Sequence, residues 1–92
     1  MALYLISYDL DKPGQNYQQL INRLTQLGAK RVLYSQWLVT SAANAEAIRN
    51  DLLRFMDNND RILVSELRNH AAWKSLMISD QNVLGFYKTS AA

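Results

Sequence analysis

Residues 2–9 read ALYLISYD, an apolar stretch that ends in an aspartate, Asp9. The odd positions from Leu3 to Asp9 would lie on one side of a β-strand and the even positions from Tyr4 to Tyr8 on the other. Apolar residues occur on both sides, which predicts a strand covered on both faces. A carboxylate at the end of a half-buried strand is costly unless a cation, a proton or hydrogen bonds satisfy it. The functional site is therefore expected around Asp9.

Helical spacing follows this first strand. Apolar residues recur every three or four positions over residues 17–27, which predicts an amphipathic helix. Asn16 would cap its start, with Gln19 reaching back as the partner of a capping box, and Gly28 would end it in the left-handed conformation.

Extended structure is predicted next, because residues 30–40 are rich in branched and aromatic side chains. The stretch is too long for one typical strand, so it forms either two strands with a turn near residues 34–36 or one bent strand. Ser41 or Asn44 would then cap a second amphipathic helix. Its inward-facing residues would be Ala45, Ile48, Leu52, Phe55 and Met56. A short apolar run within residues 61–67 predicts a last strand.

The predicted elements follow the order β, α, β, β, α, β. Two helices can cover one face of an antiparallel sheet, so this order predicts an α+β ferredoxin-like sandwich. The length of 92 residues allows one domain, residues 1–92, with a core over residues 1–67 and an extension over residues 68–92.

The extension has two features of its own. Asn69 would cap a short C-terminal helix that carries Ala72, Trp73, Leu76 and Met77. The apolar residues 83–87 form either an edge strand swapped onto a partner subunit or a frayed terminus.

The composition is that of an ordinary globular domain, with 49% hydrophobic and 20% charged residues. The absence of cysteine excludes disulfides and thiolate metal sites and favours a cytoplasmic location. No stretch approaches the ~20 apolar residues of a membrane span, so no membrane association is expected. The net charge of +2 is too small to indicate a nucleic-acid-binding protein by itself.

Three motifs within the first 67 residues resemble the CRISPR-associated Cas2 family, which is related to the virulence-associated protein D group. Members of the family begin with a strand that ends in Tyr-Asp and an aliphatic residue, as in Tyr8, Asp9 and Leu10. After the first helix they have Arg-Val-x-x-Ser and an aromatic residue two positions on, as in residues 31–37. The last strand follows an aspartate, as in residues 60–64.

This resemblance implies a homodimer whose two sheets pack face to face, with Asp9 of each subunit near the twofold axis. Two carboxylates ~5 Å apart at an effective dielectric constant of ~20 repel by about 3 kcal/mol, enough to recruit a cation. A Mg²⁺ ion bound by Asp9, with Ser7 or Ser35 as polar neighbours, would make the protein an endonuclease on RNA or DNA. The other implication of the resemblance is a dimer that binds duplex DNA or RNA during spacer acquisition, beside the Cas integrase, and does not cleave the nucleic acid.

Basic residues supply the candidates for phosphate contacts: Arg31 first, then Lys30 and Lys12. Arg31 has an equally plausible structural role, a salt bridge to Asp60 or Glu66 on a neighbouring strand.

Two alternatives stay open at this point. Asp9 could simply accept backbone N–H bonds from Asp11 and Lys12 in an Asx-turn. The chain as a whole could be a non-catalytic, dimeric ferredoxin-like interaction module that binds a protein partner through Trp37, Phe86 and Tyr87.

Overall fold

The computed structural model describes residues 1–11, 17–68 and 70–91, so the predicted cap residues Asn16 and Asn69 and the basic residue Lys12 lie outside the described residues. The elements are β1 (Ala2–Asp9), α1 (Gln18–Gln26), β2 (Lys30–Leu33), β3 (Gln36–Ser41), α2 (Ala45–Leu53), β4 (Arg61–Leu67) and α3 (Asp80–Ala91). The first six follow the predicted order.

The four strands form one antiparallel sheet in the order β2-β3-β1-β4. This arrangement confirms the α+β ferredoxin-like prediction. The extended stretch after α1 is two strands joined by a turn at Tyr34 and Ser35, as the first of the two alternatives held. A register shift between Arg31 and Leu33 bends β2 and allows a turn that contains no glycine.

The even-numbered side chains of β1 pack beneath α1 and α2. Together with apolar residues of α1, α2 and β3, these side chains form the larger of two cores. The buried residues of this larger core are Tyr4, Ile6, Tyr8, Leu20, Leu24, Ala29, Trp37, Val39, Ile48 and Leu52. We call this side of the sheet the helix face.

Two local signals fix the ends of these helices. Gly28 has a φ of +82°, the left-handed conformation predicted for it, and so ends α1 at little steric cost. Asn44, one of the two predicted caps, accepts a hydrogen bond at Oδ1 from the Ala47 backbone N–H at 2.8 Å, which begins α2. No side-chain cap begins α1 at Tyr17.

The odd-numbered side chains of β1 lie on the opposite side of the sheet, which we call the second face. There Leu3, Val32 and Leu38 are buried beneath residues 76–87. Val83 of α3 is only 1% exposed, so the C-terminal extension is part of the fold rather than a frayed terminus.

Two predictions for the extension were wrong. Residues 72–77 form no helix; their segment runs irregularly past β2, where the Met77 backbone N–H donates to the Val32 carbonyl at 3.0 Å. Within this chain residues 83–87 lie in α3 rather than in an edge strand, and exchange of the segment with a partner subunit stays a prediction. The reason is spacing: Val83, Phe86 and Tyr87 are three and four positions apart, which places them together on one side of a helix. None of the helices in the described part of the chain has the length and apolarity needed to cross a membrane.

Candidate nucleic-acid interface

Asp9 is the last residue of β1, and its Cα partner across the sheet is Arg61, the first residue of β4. Both side chains are exposed. Among the residues that the structure describes, neither forms an ion pair. The expectation that Asp9 carries a burial cost was therefore wrong, because the strand ends at the protein surface, where water solvates the carboxylate.

Two shallow grooves flank Asp9. The first is lined by Ser7, Tyr8, Asp9, Arg61, Ile62 and Leu63. The second, with a volume of about 220 Å³, is lined by Asp9, Leu10, Asp11, Asn59 and Arg61. Carboxylate, hydroxyl, amide and guanidinium groups thus meet at one end of the sheet, and Asp9 and Arg61 belong to both grooves.

Asp60 holds the loops around this end in place. Its Oδ1 accepts hydrogen bonds from the Asp11 backbone N–H at 2.7 Å and from the Tyr17 hydroxyl at 3.0 Å. Its Oδ2 accepts from the Asp57 backbone N–H at 2.7 Å. The aspartate of the third motif therefore joins the loop after β1, the start of α1 and the turn before β4.

This arrangement overturns the Asx-turn alternative at Asp11. The backbone N–H of Asp11 donates to Asp60 and not to Asp9. The other proposed donor, Lys12, lies outside the described residues. The Asp9 carboxylate therefore does not accept the hydrogen bond from the Asp11 backbone N–H that the Asx-turn would require.

The turn between β2 and β3 lies at the same end of the sheet. The Tyr8 backbone N–H donates to the Ser35 carbonyl at 3.1 Å, which places this turn beside the end of β1. Tyr34, at the tip of the turn, is 85% exposed. Ser7 lines a groove with Asp9, whereas Ser35 enters the neighbourhood through its backbone.

Arg31 lies on the other side of the sheet from Asp9. Its Cα partner is Trp37, whose partner in turn is Ile6 of the helix face. The Arg31 Cζ atom lies 4.8 Å from the centroid of the Trp37 ring, a cation–π contact. Its Nε atom is buried and has no hydrogen-bond partner among the described residues.

The predicted bridges from Arg31 to Asp60 or Glu66 were wrong. The strands β2 and β4 are the two edges of the sheet, with β3 and β1 between them, a separation of roughly 14 Å. Glu66 instead forms an ion pair with Arg68 at 2.9 Å.

Lys30 is also remote from Asp9. Its Cα partner is Leu38, which pairs with Leu5, four positions before Asp9 on β1, or roughly 13 Å along the strand. It lines a separate groove with Thr40 and residues of α3. Of the predicted site residues, the structure therefore brings Ser7 to Asp9 and leaves Lys30 and Arg31 elsewhere.

Arg61 is the candidate that the sequence analysis missed. The signal was present, because a basic residue that begins a strand antiparallel to β1 must lie beside the residue that ends β1. The pairing of β1 with β4 had to be known before that signal could be used.

The aromatic residues proposed for a protein-binding surface are engaged within the fold. Trp37 is buried, and its Nε1–H donates to the Tyr8 hydroxyl at 3.1 Å. Phe86 and Tyr87 pack against the second face, where burial raises the pKa of the Tyr87 hydroxyl. Burial removes Trp37 from such a surface, whereas Phe86 and Tyr87 are half-buried and binding of a protein partner through them stays a prediction.

Metal binding at Asp9 can be judged from the donor groups. Asp9 and Asp11 offer carboxylate oxygens and Asn59 an amide oxygen, the ligands that Mg²⁺ prefers. Within the described residues, no three His, Cys, Asp or Glu side chains come together as a metal site. The donor chemistry fits Mg²⁺, but water, substrate phosphate or a second chain must supply the remaining ligands.

A family model described as CRISPR associated protein Cas2 matches residues 1–75. The matched range includes β1, β4 and both grooves at Asp9, and it ends before α3. No solved structure matches this chain.

Proposed function

The chain belongs to the CRISPR-associated Cas2 family, and from this premise we propose that it is a homodimeric nucleic-acid-binding component of spacer acquisition. It acts in the cytoplasm, beside the Cas integrase. The observation that supports this proposal is the exposed end of the sheet at Asp9, where Arg61 is available for a phosphate contact.

A phosphodiester would use the groups of this end in a definite way. The Arg61 guanidinium can donate two parallel hydrogen bonds to phosphate oxygens, and the Asn59 amide and Ser7 hydroxyl can add neutral ones. Asp9 repels the same phosphate unless a cation lies between them. Two copies of the chain would double the number of these contacts along a duplex.

A second candidate function, Mg²⁺-dependent endonuclease activity on RNA or DNA, is favoured by the two carboxylates in one groove. Asp9 and Asp11 would hold the ion, which when bound supplies charge neutralisation of the phosphodiester and activation of water. Arg61 would orient the phosphate in the same groove.

Binding is tested by titrating duplex DNA and duplex RNA with the protein at several salt concentrations, followed by fluorescence anisotropy. The logarithm of affinity should fall linearly with the logarithm of salt concentration, because phosphate contacts release counterions. Replacing Arg61→Ala should weaken binding and reduce this slope by about one for each phosphate that Arg61 neutralises. Arg49→Ala, an exposed arginine on α2, is the matched control and should change neither quantity. A salt-independent affinity would contradict the proposal.

Cleavage is tested with Asp9→Asn on single-stranded RNA and duplex DNA, with and without Mg²⁺. If Asp9 holds the ion, the variant should lose metal-dependent cleavage even at protein concentrations that saturate the nucleic acid. Asp57→Asn is the control, because that exposed carboxylate lies outside both grooves. Unchanged cleavage would remove Asp9 from the mechanism. No cleavage by the unmodified protein would leave the binding role alone.

A further inference from the structure

The second face is only partly covered by the C-terminal extension. The row of Cα partners Leu38, Leu5 and Ser65 lies toward the covered half, where Leu5 and Leu38 pack against the extension. The next row toward Asp9 contains Ser7 and Leu63, and Leu63 is 60% exposed. We call the surface formed by Ser7, Asp9, Arg61 and Leu63 the open end of the second face.

The extension is firmly packed where it does cover the sheet. Leu3 and Leu38 are buried beneath it, and Val83 is its most deeply buried contact. Two copies cannot bring their whole second faces together while α3 stays in this position. The open end is therefore the part of this face that a second copy can reach.

The open end is complementary to itself in charge. It carries one acidic and one basic residue on adjacent strands, and among the described residues neither has an ion-pair partner. In a twofold contact the same patch meets itself, so each residue faces its neighbour's counterpart. An axis between β1 and β4, parallel to the strands, would bring Asp9 of one copy opposite Arg61 of the other, and Leu63 opposite Ser7.

We propose that Asp9 forms an ion pair with Arg61 of a second copy of this chain, so that each copy completes the site of the other. This inference rests on the proposed homodimer and identifies the residue that the second subunit contributes. The two guanidinium groups would offset the repulsion between the two Asp9 carboxylates at the axis. Nucleic-acid phosphate would then compete with Asp9 for Arg61, and Mg²⁺ would compete with Arg61 for Asp9.

Charge reversal in separate chains tests the pairing. Asp9→Arg and Arg61→Asp, each alone, place like charges at both contacts and should raise the dimer dissociation constant at least about 10-fold. In an equimolar mixture both contacts join opposite charges again, because a chain with two basic residues at these positions meets a chain with two acidic ones. Native mass spectrometry without Mg²⁺ or nucleic acid should then show heterodimer well above the statistical share of about half of all dimers. A pair formed only within one chain cannot produce this rescue.

Glu66→Arg and Arg68→Asp provide the matched control mixture, because both lie at or just beyond the far end of β4, at least five positions after Arg61. This mixture should contain the statistical share of heterodimer. Circular dichroism melting confirms that each variant folds; if a reversed variant does not, Asp9→Asn and Arg61→Gln replace the pair, and each alone should weaken the dimer. Their heterodimer keeps one Asp9–Arg61 pair, so it should still exceed the statistical share. Neutral variants that dimerise like the unmodified protein would overturn the inference.

The outcomes separate this inference from the proposed function. A dimer whose reversed variants mix statistically overturns the Asp9–Arg61 pair and leaves the homodimer standing. A monomeric unmodified protein overturns both the pair and the homodimer, while the salt titration decides nucleic-acid binding independently.

Discussion

The two faces of the sheet are built from alternate residues of the same strands, yet they are closed in different ways. On the helix face, α1 and α2 cover the even-numbered residues of β1 from Tyr4 to Tyr8. On the second face, the extension covers Leu3 and Leu38 but leaves Ser7, Asp9 and Leu63 at the surface. The helix face is a complete core, whereas the second face is half core and half accessible surface.

The difference shows where function can be located in so small a domain. Interiors are close-packed, so the helix face has no room for a ligand without loss of stability. The open end exposes polar side chains at no such cost, and hydrogen bonds to the Asp60 carboxylate hold the surrounding loops in place. The rigid half of the sheet thus positions side chains on the accessible half.

The largest expected effect comes from placing a charge among the buried residues of the helix face, and the next from placing one where the extension packs on the second face. Leu52→Asp on the helix face should unfold the whole domain, because a buried carboxylate has no partner in the larger core. Val83→Asp on the second face should instead release α3 and cost about 2 kcal/mol, the value of fully burying such a side chain. Chemical denaturation gives the global stability, and amide hydrogen exchange locates the lost protection.

Leu84→Asp is the control for this comparison, because Leu84 is the exposed neighbour of Val83 on the same helix. It should change stability by less than about 0.5 kcal/mol. Release of α3 has a second signature, since the raised pKa of Tyr87 comes from burial and should return to its ordinary value. Loss of protection throughout the sheet in Val83→Asp would show that both faces unfold together and would break the comparison.

Much of the fold could be predicted because its signals are local. The alternation in residues 2–9 indicated a strand covered on both sides, Gly28 marked the end of α1, and Asn44 marked the start of α2. These signals need only the spacing of neighbouring residues. The element order then selected the antiparallel ferredoxin-like arrangement.

The extension could not be predicted in the same way, because its structure depends on what it packs against. Residues 83–87 contain enough branched and aromatic side chains for a strand, but the buried contacts of Val83 are satisfied by a helix across the sheet. Tertiary packing overrode local propensity there.

The candidate site shows the same division. Asp9 was identified from the sequence because a carboxylate that ends an apolar strand is conspicuous. Arg61 was not, because its place beside Asp9 follows from strand pairing between distant segments. Arg31 was given a role that sheet order does not support, since its salt-bridge partners lie on the opposite edge.

The smallest expected effect on stability concerns the helix face, where an ionic contact joins α1 to α2. The Arg23 guanidinium donates to both carboxylate oxygens of Asp51, at 2.8 and 3.1 Å, and Arg54 donates to the same carboxylate. The hydrogen bonds from Arg23 hold the pKa of Asp51 below its usual value, and Arg54 adds to this lowering. Because the pair is partly exposed, Asp51→Asn should cost only about 1 kcal/mol at pH 7.

The pH dependence of this cost has a definite sign. The pKa of Asp51 is lower in the folded than in the unfolded chain, so its contribution is fully present above the unfolded value of about 3.9. It is lost as the pH falls through the folded value. The difference in unfolding free energy between the two proteins should therefore be constant near neutrality and shrink below about pH 4. Urea denaturation at several pH values measures this difference. The control is Glu46→Gln, an exposed carboxylate 4.0 Å from Arg49, whose replacement should change the unfolding free energy by close to zero.

Amide hydrogen exchange in α3 should be the same in Asp51→Asn and in the unmodified protein, because the Asp51 contact joins only the helices of the helix face. Faster exchange in α3 would show that the packing of the two faces is coupled.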